Sequence, residues 1–264
     1  MSSSLPIGVF DSGVGGLSIL SRIHQLLPAE ALIYVADSAH APYGPKGDEF
    51  IVERSRRILD FFLSQKVKAV VVACNTATAA AVKMLRQEYS LPIVGMEPAI
   101  KPAVKQTRSG VVGVLATEGT LASDKFVDLK SRFETQVEFI TVPCPGLVEE
   151  IEKPVMDLSR ITAMLDNYVT PLVAKGADTI VLGCTHYSFI ADQIRCVAGQ
   201  DIAIIDTDDA VARRLGSVLA EQDLLRTEHA DSANVFYSSG KPVEQVPLIS
   251  RCWGTAVNVQ SFPG

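Results

Sequence analysis

Two cysteines stand where a thiol could do chemistry. Cys74 in "VVVACNTAT" and Cys184 in "IVLGCTHYS" each end an apolar run and open a polar stretch, Cys-Asn-Thr in the first and Cys-Thr-His in the second. In open α/β sheets ligands collect beyond the carboxyl ends of the strands, where both cysteines are expected. A helix starting just after each would aim backbone N–H groups and the positive end of its dipole at the sulfur. That predicts a lowered thiol pKa and offers the same donors to a carboxylate. A single cysteine at a strand end is ordinarily a small apolar filler; two in matching contexts read as a working pair. Such a pair could serve as acid and base toward one bound ligand.

Other polar residues gather at the same kind of position. "DSGVGG" (Asp11–Gly16) follows an apolar run, but Ser18 occupies the third-glycine position of a dinucleotide loop and no Walker lysine follows. Asp11 could steer or accept a proton, and Ser12 with the glycine backbone could approach a small ligand; the alternative is a helix cap followed by a turn. "HAPYGPKG" (His40–Gly47) is a loop by its prolines and glycines. His186 is near enough in sequence to assist Cys184, although a lone histidine more often makes a structural hydrogen bond. Cys144, Cys196 and Cys252 are read as structural, and His24 and His229 as solvent-facing or structural.

Parallel strands joined by crossover helices would position these residues. The expected strands are Ile7–Phe10, Leu32–Asp37, Ala69–Cys74, Pro92–Met96, Gly110–Thr117, Glu138–Cys144, Thr179–Cys184 and Ile202–Asp206; Phe50–Ser64 and Leu158–Ala174 have the three- and four-residue spacing of amphipathic helices. The fold class is α/β. "PIGVFDSGVGGL" is echoed by "VVGVLATEGTL", as the two cysteine motifs echo each other, which suggests two related lobes facing across a site. Their boundaries are placed at "GMEPAIKP" and "IIDTDDA", giving residues 1–97 with 208–264 as one lobe and 98–207 as the other. The tail "ANVFYSSGKPVEQVPL" reads as a strand, a glycine turn and a final helix.

The 264 residues are 47% hydrophobic with a net charge of −6. That balance describes a folded protein and argues against binding a phosphate backbone. No basic leader or bilayer-length apolar run is evident, so a cytoplasmic, non-membrane protein is expected. Five cysteines without a CxxC pair point to free thiols rather than a disulfide framework or zinc site.

Taken in order, "VFDSGVGGLS", "APYGPKG", "VVACNTATAA" and "VLGCTHYSFI" resemble the motif set of the glutamate racemases of the aspartate/glutamate racemase superfamily, across nearly the whole chain. The resemblance implies two α/β lobes related by pseudo-twofold symmetry, no cofactor and no metal. It implies that Cys74 and Cys184 are the proton donor/acceptors, with Asp11 assisting Cys74, His186 assisting Cys184, and Glu152 auxiliary. Asp11, Ser12, Tyr43, Gly44, Asn75, Thr76, Thr185 and His186 would bind glutamate, with Thr117 a weaker candidate. Peptidoglycan synthesis would follow from D-glutamate as product, and a homodimer is left open. Ser188, Thr78 and Glu149 depart from the family pattern; the first and third bear on the loop geometry around Glu152. An aspartate racemase, a Cys-His hydrolase and a non-catalytic amino-acid-binding protein are the competing readings; histidine after Cys184-Thr185 favours glutamate, and hydrolysis has no use for the second cysteine motif.

Overall fold

In the computed structural model, which describes residues 2–227 and 234–264, the Val/Ile-rich runs pair into two sheets. The strands are β1 (Ile7–Asp11), β2 (Leu32–Ala36), β3 (Ala69–Val72), β4 (Ile93–Val94), β5 (Val111–Ala116), β6 (Glu138–Pro143), β7 (Thr179–Leu182), β8 (Ala203–Ile205), β9 (Val235–Ser238) and β10 (Val259–Ser261). One sheet runs β10-β9-β2-β1-β3-β4 and the other β6-β5-β7-β8. All the pairings are parallel. Reversed, the first sheet contains β4-β3-β1-β2 and the second is β8-β7-β5-β6. The sequence echo is thus an echo of topology, and β3 and β7 hold the same place in it. Cys74 and Cys184 each stand two residues past the last residue of those strands.

The alternation of strand side chains explains why both faces of each sheet are covered. Along β3, Ala69 and Val71 face a core shared with α1 (Leu17–Leu26), α10 (Asp208–Glu221) and α11 (Pro242–Trp253). Val70 and Val72 face a second core with α2 (Asp48–Ser64) and α3 (Asn75–Glu88). The second sheet packs Ile180 and Leu182 against α7 (Leu147–Ile151), α8 (Leu158–Ala174) and α9 (Ala191–Ala198). Its other face packs on α4 (Ile100–Gln106) and α6 (Asp124–Ser131), while α5 (Glu118–Ala122) follows β5. A fully buried aliphatic side chain stabilises by roughly 1.5–3 kcal/mol, so these four clusters hold the strand ends still.

The structure departs from expectation at the tail. A strand follows the last helix: β10 pairs with β9 through Val259↔Phe236. It is an edge strand of three residues, two of them exposed, so it carries no alternation that a sequence could display. Several central strands also stop short of their expected ends, which releases the residues after them into the site. His229 lies outside the described residues.

Candidate active site

Cys74 is the N-cap of α3, with extended backbone, and its Sγ accepts from Ala77 N at 3.4 Å. The thiol lies 3.8 Å from Ser12 Oγ. The expected lowering of its pKa is not found: burial pushes the thiol up to about 12, the Asp11 carboxylate adds to that, and the Ala77 N–H and Ser12 only partly oppose it. Helix-end charge contributes at most about 2 kcal/mol, whereas complete burial moves a pKa by up to about 3–5 units, so burial wins.

Asp11 ends β1 and is fully buried. Its Oδ1 accepts from Gly13 N at 2.6 Å and from Ser12 Oγ at 3.3 Å, and its Oδ2 accepts from Thr185 Oγ1 at 3.0 Å. Its link to Cys74 therefore runs through Ser12. Burial raises its pKa, against the opposing pull of His186, Gly13 N–H and Thr185.

Cys184 opens the 3-10 helix Thr185–Ile190, and no backbone N–H caps its side chain. Its partner is a ring: Sγ lies 3.8 Å from His186 Nδ1, and His186 Nε2 lies 2.6 Å from Glu152 Oε1. That same carboxylate oxygen accepts from Val14 N at 2.7 Å. Burial disfavours the imidazolium, but the Cys184 sulfur and the Glu152 carboxylate outweigh it and hold the His186 pKa well above its ordinary value. The His186 ring thus bridges the Cys184 sulfur and the Glu152 carboxylate, one nitrogen to each. Glycine is required where the lobes approach: a Cβ on Gly13 would overlap Glu152 Oε1, and one on Gly15 would overlap Thr185 and His186.

Both thiols open onto one cavity of about 10 Å³, room for roughly one water. Ser12, Tyr43, Gly44, Asn75, Thr76, Thr117, Thr185 and His186 also line it. They are engaged differently. The Tyr43 hydroxyl donates to Asp37 Oδ2 at 2.6 Å, so the residue presents its ring and backbone to the cavity. Thr76 Oγ1 lies 3.0 Å from Thr117 Oγ1 and 3.2 Å from Thr120 Oγ1, a hydroxyl cluster between the lobes. Asn75 is buried with both its amide oxygen and its amide nitrogen lacking partners. Such a group costs about 1–3 kcal/mol, and it is ready to meet a ligand's carboxylate or ammonium.

Glu152 does reach His186 despite Ser188 and Glu149, the latter forming part of the first turn of α7. Thr78 makes its own structural contacts, donating to Val72 O at 3.2 Å and accepting from Met96 N at 3.1 Å. Cys144 is buried beside an adjoining cavity, with burial pushing its thiol up to about 12. Cys196 is exposed and Cys252 half-buried. Two contributors carried no sequence signal: Val14 acts through its backbone N–H, and Thr120 enters the hydroxyl cluster only through the meeting of α5 with α3. Among the described residues no group of three or more His, Cys, Asp and Glu side chains is arranged to hold a metal ion.

These features define a two-lobed α/β protein in which one strand-end thiol from each sheet opens onto a shared, desolvated site. The chain belongs to the Asp/Glu/hydantoin racemase family, whose pattern matches residues 7–215, and with it is an isomerase. A relative named glutamate racemase from Stutzerimonas stutzeri (strain A1501) is 53% identical over 259 residues, covering 98% of this chain and 97% of the relative. Among solved structures, glutamate racemase isoform RacE1 from Bacillus anthracis superposes with a TM-score of 0.87 at 30% identity, covering 98% of both chains. Glutamate racemase from Francisella tularensis subsp. tularensis SCHU S4, in complex with D-glutamate, gives 0.84 at 28% identity and the same coverage.

Proposed function

We propose that the protein is a cofactor-independent glutamate racemase that exchanges a proton between Cys74 and Cys184 across one α-carbon. The observation that carries this is the convergence of two strand-end thiols, one from each sheet, on a single cavity, each with its own polar partners. Glutamate is favoured by the name shared by the close relatives, by the D-glutamate held in one structural relative and by His186 following Cys184-Thr185.

In this mechanism the lobes, residues 1–97 with 208–264 and residues 98–207, part to admit glutamate, because the closed cavity is too small for it. Closure expels water, which strengthens every fixed dipole around the reacting carbon. With L-glutamate bound, Cys184 takes the α-hydrogen as a proton, with the His186 ring 3.8 Å from its sulfur to balance the charge it carries as a base. The Cys74 thiol, whose raised pKa keeps it protonated, gives its proton to the opposite face. D-glutamate runs the same steps backward, and the enzyme resets by exchanging one proton between the sulfurs and solvent. The Asn75 amide and the first backbone N–H groups of α3 hold the carboxylate onto which the carbanion's charge spreads. Ser12, Thr185 and the Tyr43–Gly44 backbone complete the binding surface, and Asp11, which does not line the cavity, holds Ser12 and Thr185 from behind.

The product D-glutamate would serve peptidoglycan synthesis in the cytoplasm; no helix among the described residues is long and apolar enough to cross a membrane. Incubating the protein with L- or D-glutamate in heavy water, without added cofactor, tests the reading. The expected result is loss of optical rotation with one deuterium entering at Cα per inversion. Racemisation that vanishes on chelation and returns with a metal, or aspartate turned over as fast as glutamate, would overturn it.

A further inference from the structure

The carboxylate that meets His186 hangs from the weakest kind of support. Glu152 is the C-cap of α7, a helix of five residues, its own N–H bonded to Val148 O at 2.9 Å. A helix this short does not sustain itself, and its last carbonyls have no partners within the helix. One guanidinium answers them. Arg251 Nη2 donates to Ile151 O at 2.7 Å, and Nη1 donates to Lys153 O at 2.9 Å and to Pro154 O at 3.1 Å. Carbonyls on both sides of Glu152 are thus tied to a single planar fork.

The fork comes from a rigid place. Arg251 lies in the last turn of α11, whose Leu248 and Ile249 are buried in the core shared with α1. The adjacent Trp253 ring lies 5.4 Å from that of Phe236 and 5.5 Å from that of His24. Both α11 and Val14 belong with the first sheet, whereas α7 packs on the second. Glu152 is therefore held twice from across the lobes, its carboxylate by Val14 N–H and its backbone by Arg251.

We propose that Arg251 is a positioning residue for the Cys184 half of the reaction: it fixes the carbonyl end of α7 so that the Glu152 carboxylate stays against His186. No such contact reaches Cys74, whose partners are Ser12 and Ala77. The inference rests on the two-thiol reading above. It predicts an effect confined to one substrate hand, which a residue that merely fastens α11 would not produce. Lysine, with one ammonium in place of a planar fork, cannot span three carbonyls with the same geometry.

Racemisation cannot reveal such an asymmetry. The two enantiomers have equal free energy, so kcat/KM must be the same in both directions whatever is mutated. An irreversible substrate can. With 3-chloroglutamate of either hand, one thiolate removes the α-proton, the electron pair forms the Cα–Cβ double bond and chloride leaves. The enamine tautomerises and is hydrolysed by water to 2-oxoglutarate and ammonium.

The experiment measures this elimination with L- and D-configured substrate for wild type, Arg251→Ala, Arg251→Lys and Cys184→Ser, with thermal midpoints alongside. The expected result is a loss on the order of tenfold to a hundredfold for Arg251→Ala with the L-substrate, with the D-substrate changed less than about twofold. Arg251→Lys should fall between, and it supplies the answer if the alanine variant does not fold. Equal losses on both hands, no loss, or loss on the D-hand alone would overturn the proposal while leaving the two-thiol reading intact, provided Cys184→Ser loses the L-reaction. If Cys184→Ser keeps the L-reaction, the two-thiol reading itself falls and the role of Arg251 falls with it.

Discussion

The two halves of the site share a strand framework and differ in how each treats its sulfur. Cys74 caps a helix of 14 residues, accepts a backbone N–H and has only a hydroxyl between it and Asp11. Cys184 opens a six-residue 3-10 helix, has no capping bond, and sits beside a buried imidazole held by a carboxylate. In the two-thiol mechanism proposed above, the first lobe would present a reluctant acid and the second a sulfur beside an imidazole whose pKa is raised. Duplicated topology supplies two matching strand-end positions, and the side chains added around them give each sulfur a different set of partners.

The largest effect that could break this comparison comes from exchanging the sulfurs for oxygen. Cys74→Ser and Cys184→Ser should each lower racemisation by at least about 10³-fold, because a hydroxyl is far less acidic than a thiol and cannot serve as a comparable base. Elimination from a 3-chloro substrate should then separate the halves. Cys74→Ser should keep the L-reaction and lose the D-reaction, and Cys184→Ser should do the reverse. Two variants with the same hand preference would show that both sulfurs do not work on opposite faces.

A smaller effect should come from the relay behind Cys184. Glu152→Gln removes the charge that favours the imidazolium, and Gly13→Ala forces the same carboxylate aside because the added Cβ would overlap Glu152 Oε1. Both should cost on the order of tenfold to a hundredfold in elimination from the L-substrate and little from the D-substrate. The agreement of the two variants is the informative part, since Gly13 belongs to the Asp-Ser-Gly turn of the first lobe and would damage the opposite half. A Gly13→Ala variant that lost the D-reaction instead would show that the turn serves Cys74.

The sequence displayed this comparison unevenly. Cys74, Cys184, Asp11 and His186 could be located because each follows an apolar run, and chain alternation fixes where such a run ends. The strand echo was visible for the same reason. Val14 was not, because its contribution is a backbone N–H that any residue would possess. Arg251 was not, because it is 100 positions from the carbonyl of Ile151 and only the packing of α11 brings them together. The direction of the Cys74 shift is not legible in the sequence: the helix end after it is, but the burial that outweighs that end arises only when the chain folds over the thiol.

That burial yields the smallest and last test, one of stability rather than rate. A thiol whose folded-state pKa is about 12, against 9.0 as its ordinary value, binds its proton more tightly in the folded chain than in the unfolded one. Its contribution to stability is fully present below pH 9 and is lost as pH rises toward 12, because over that window the unfolded chain sheds the proton first. At pH 10, one unit above the unfolded value, the loss from this group is about 1.4 kcal/mol. Cys74→Ala removes the titration, so urea unfolding of that variant should lose less stability than wild type between pH 8 and pH 10, whatever its offset at pH 8. Cys144, also pushed up to about 12 but bonded through Sγ to Val142 O, should behave likewise when replaced by alanine, and the two changes should add. If the Cys74→Ala and wild-type profiles run parallel across that range, the first-lobe thiol is not the reluctant acid described, and the contrast between the two halves must rest on His186 alone.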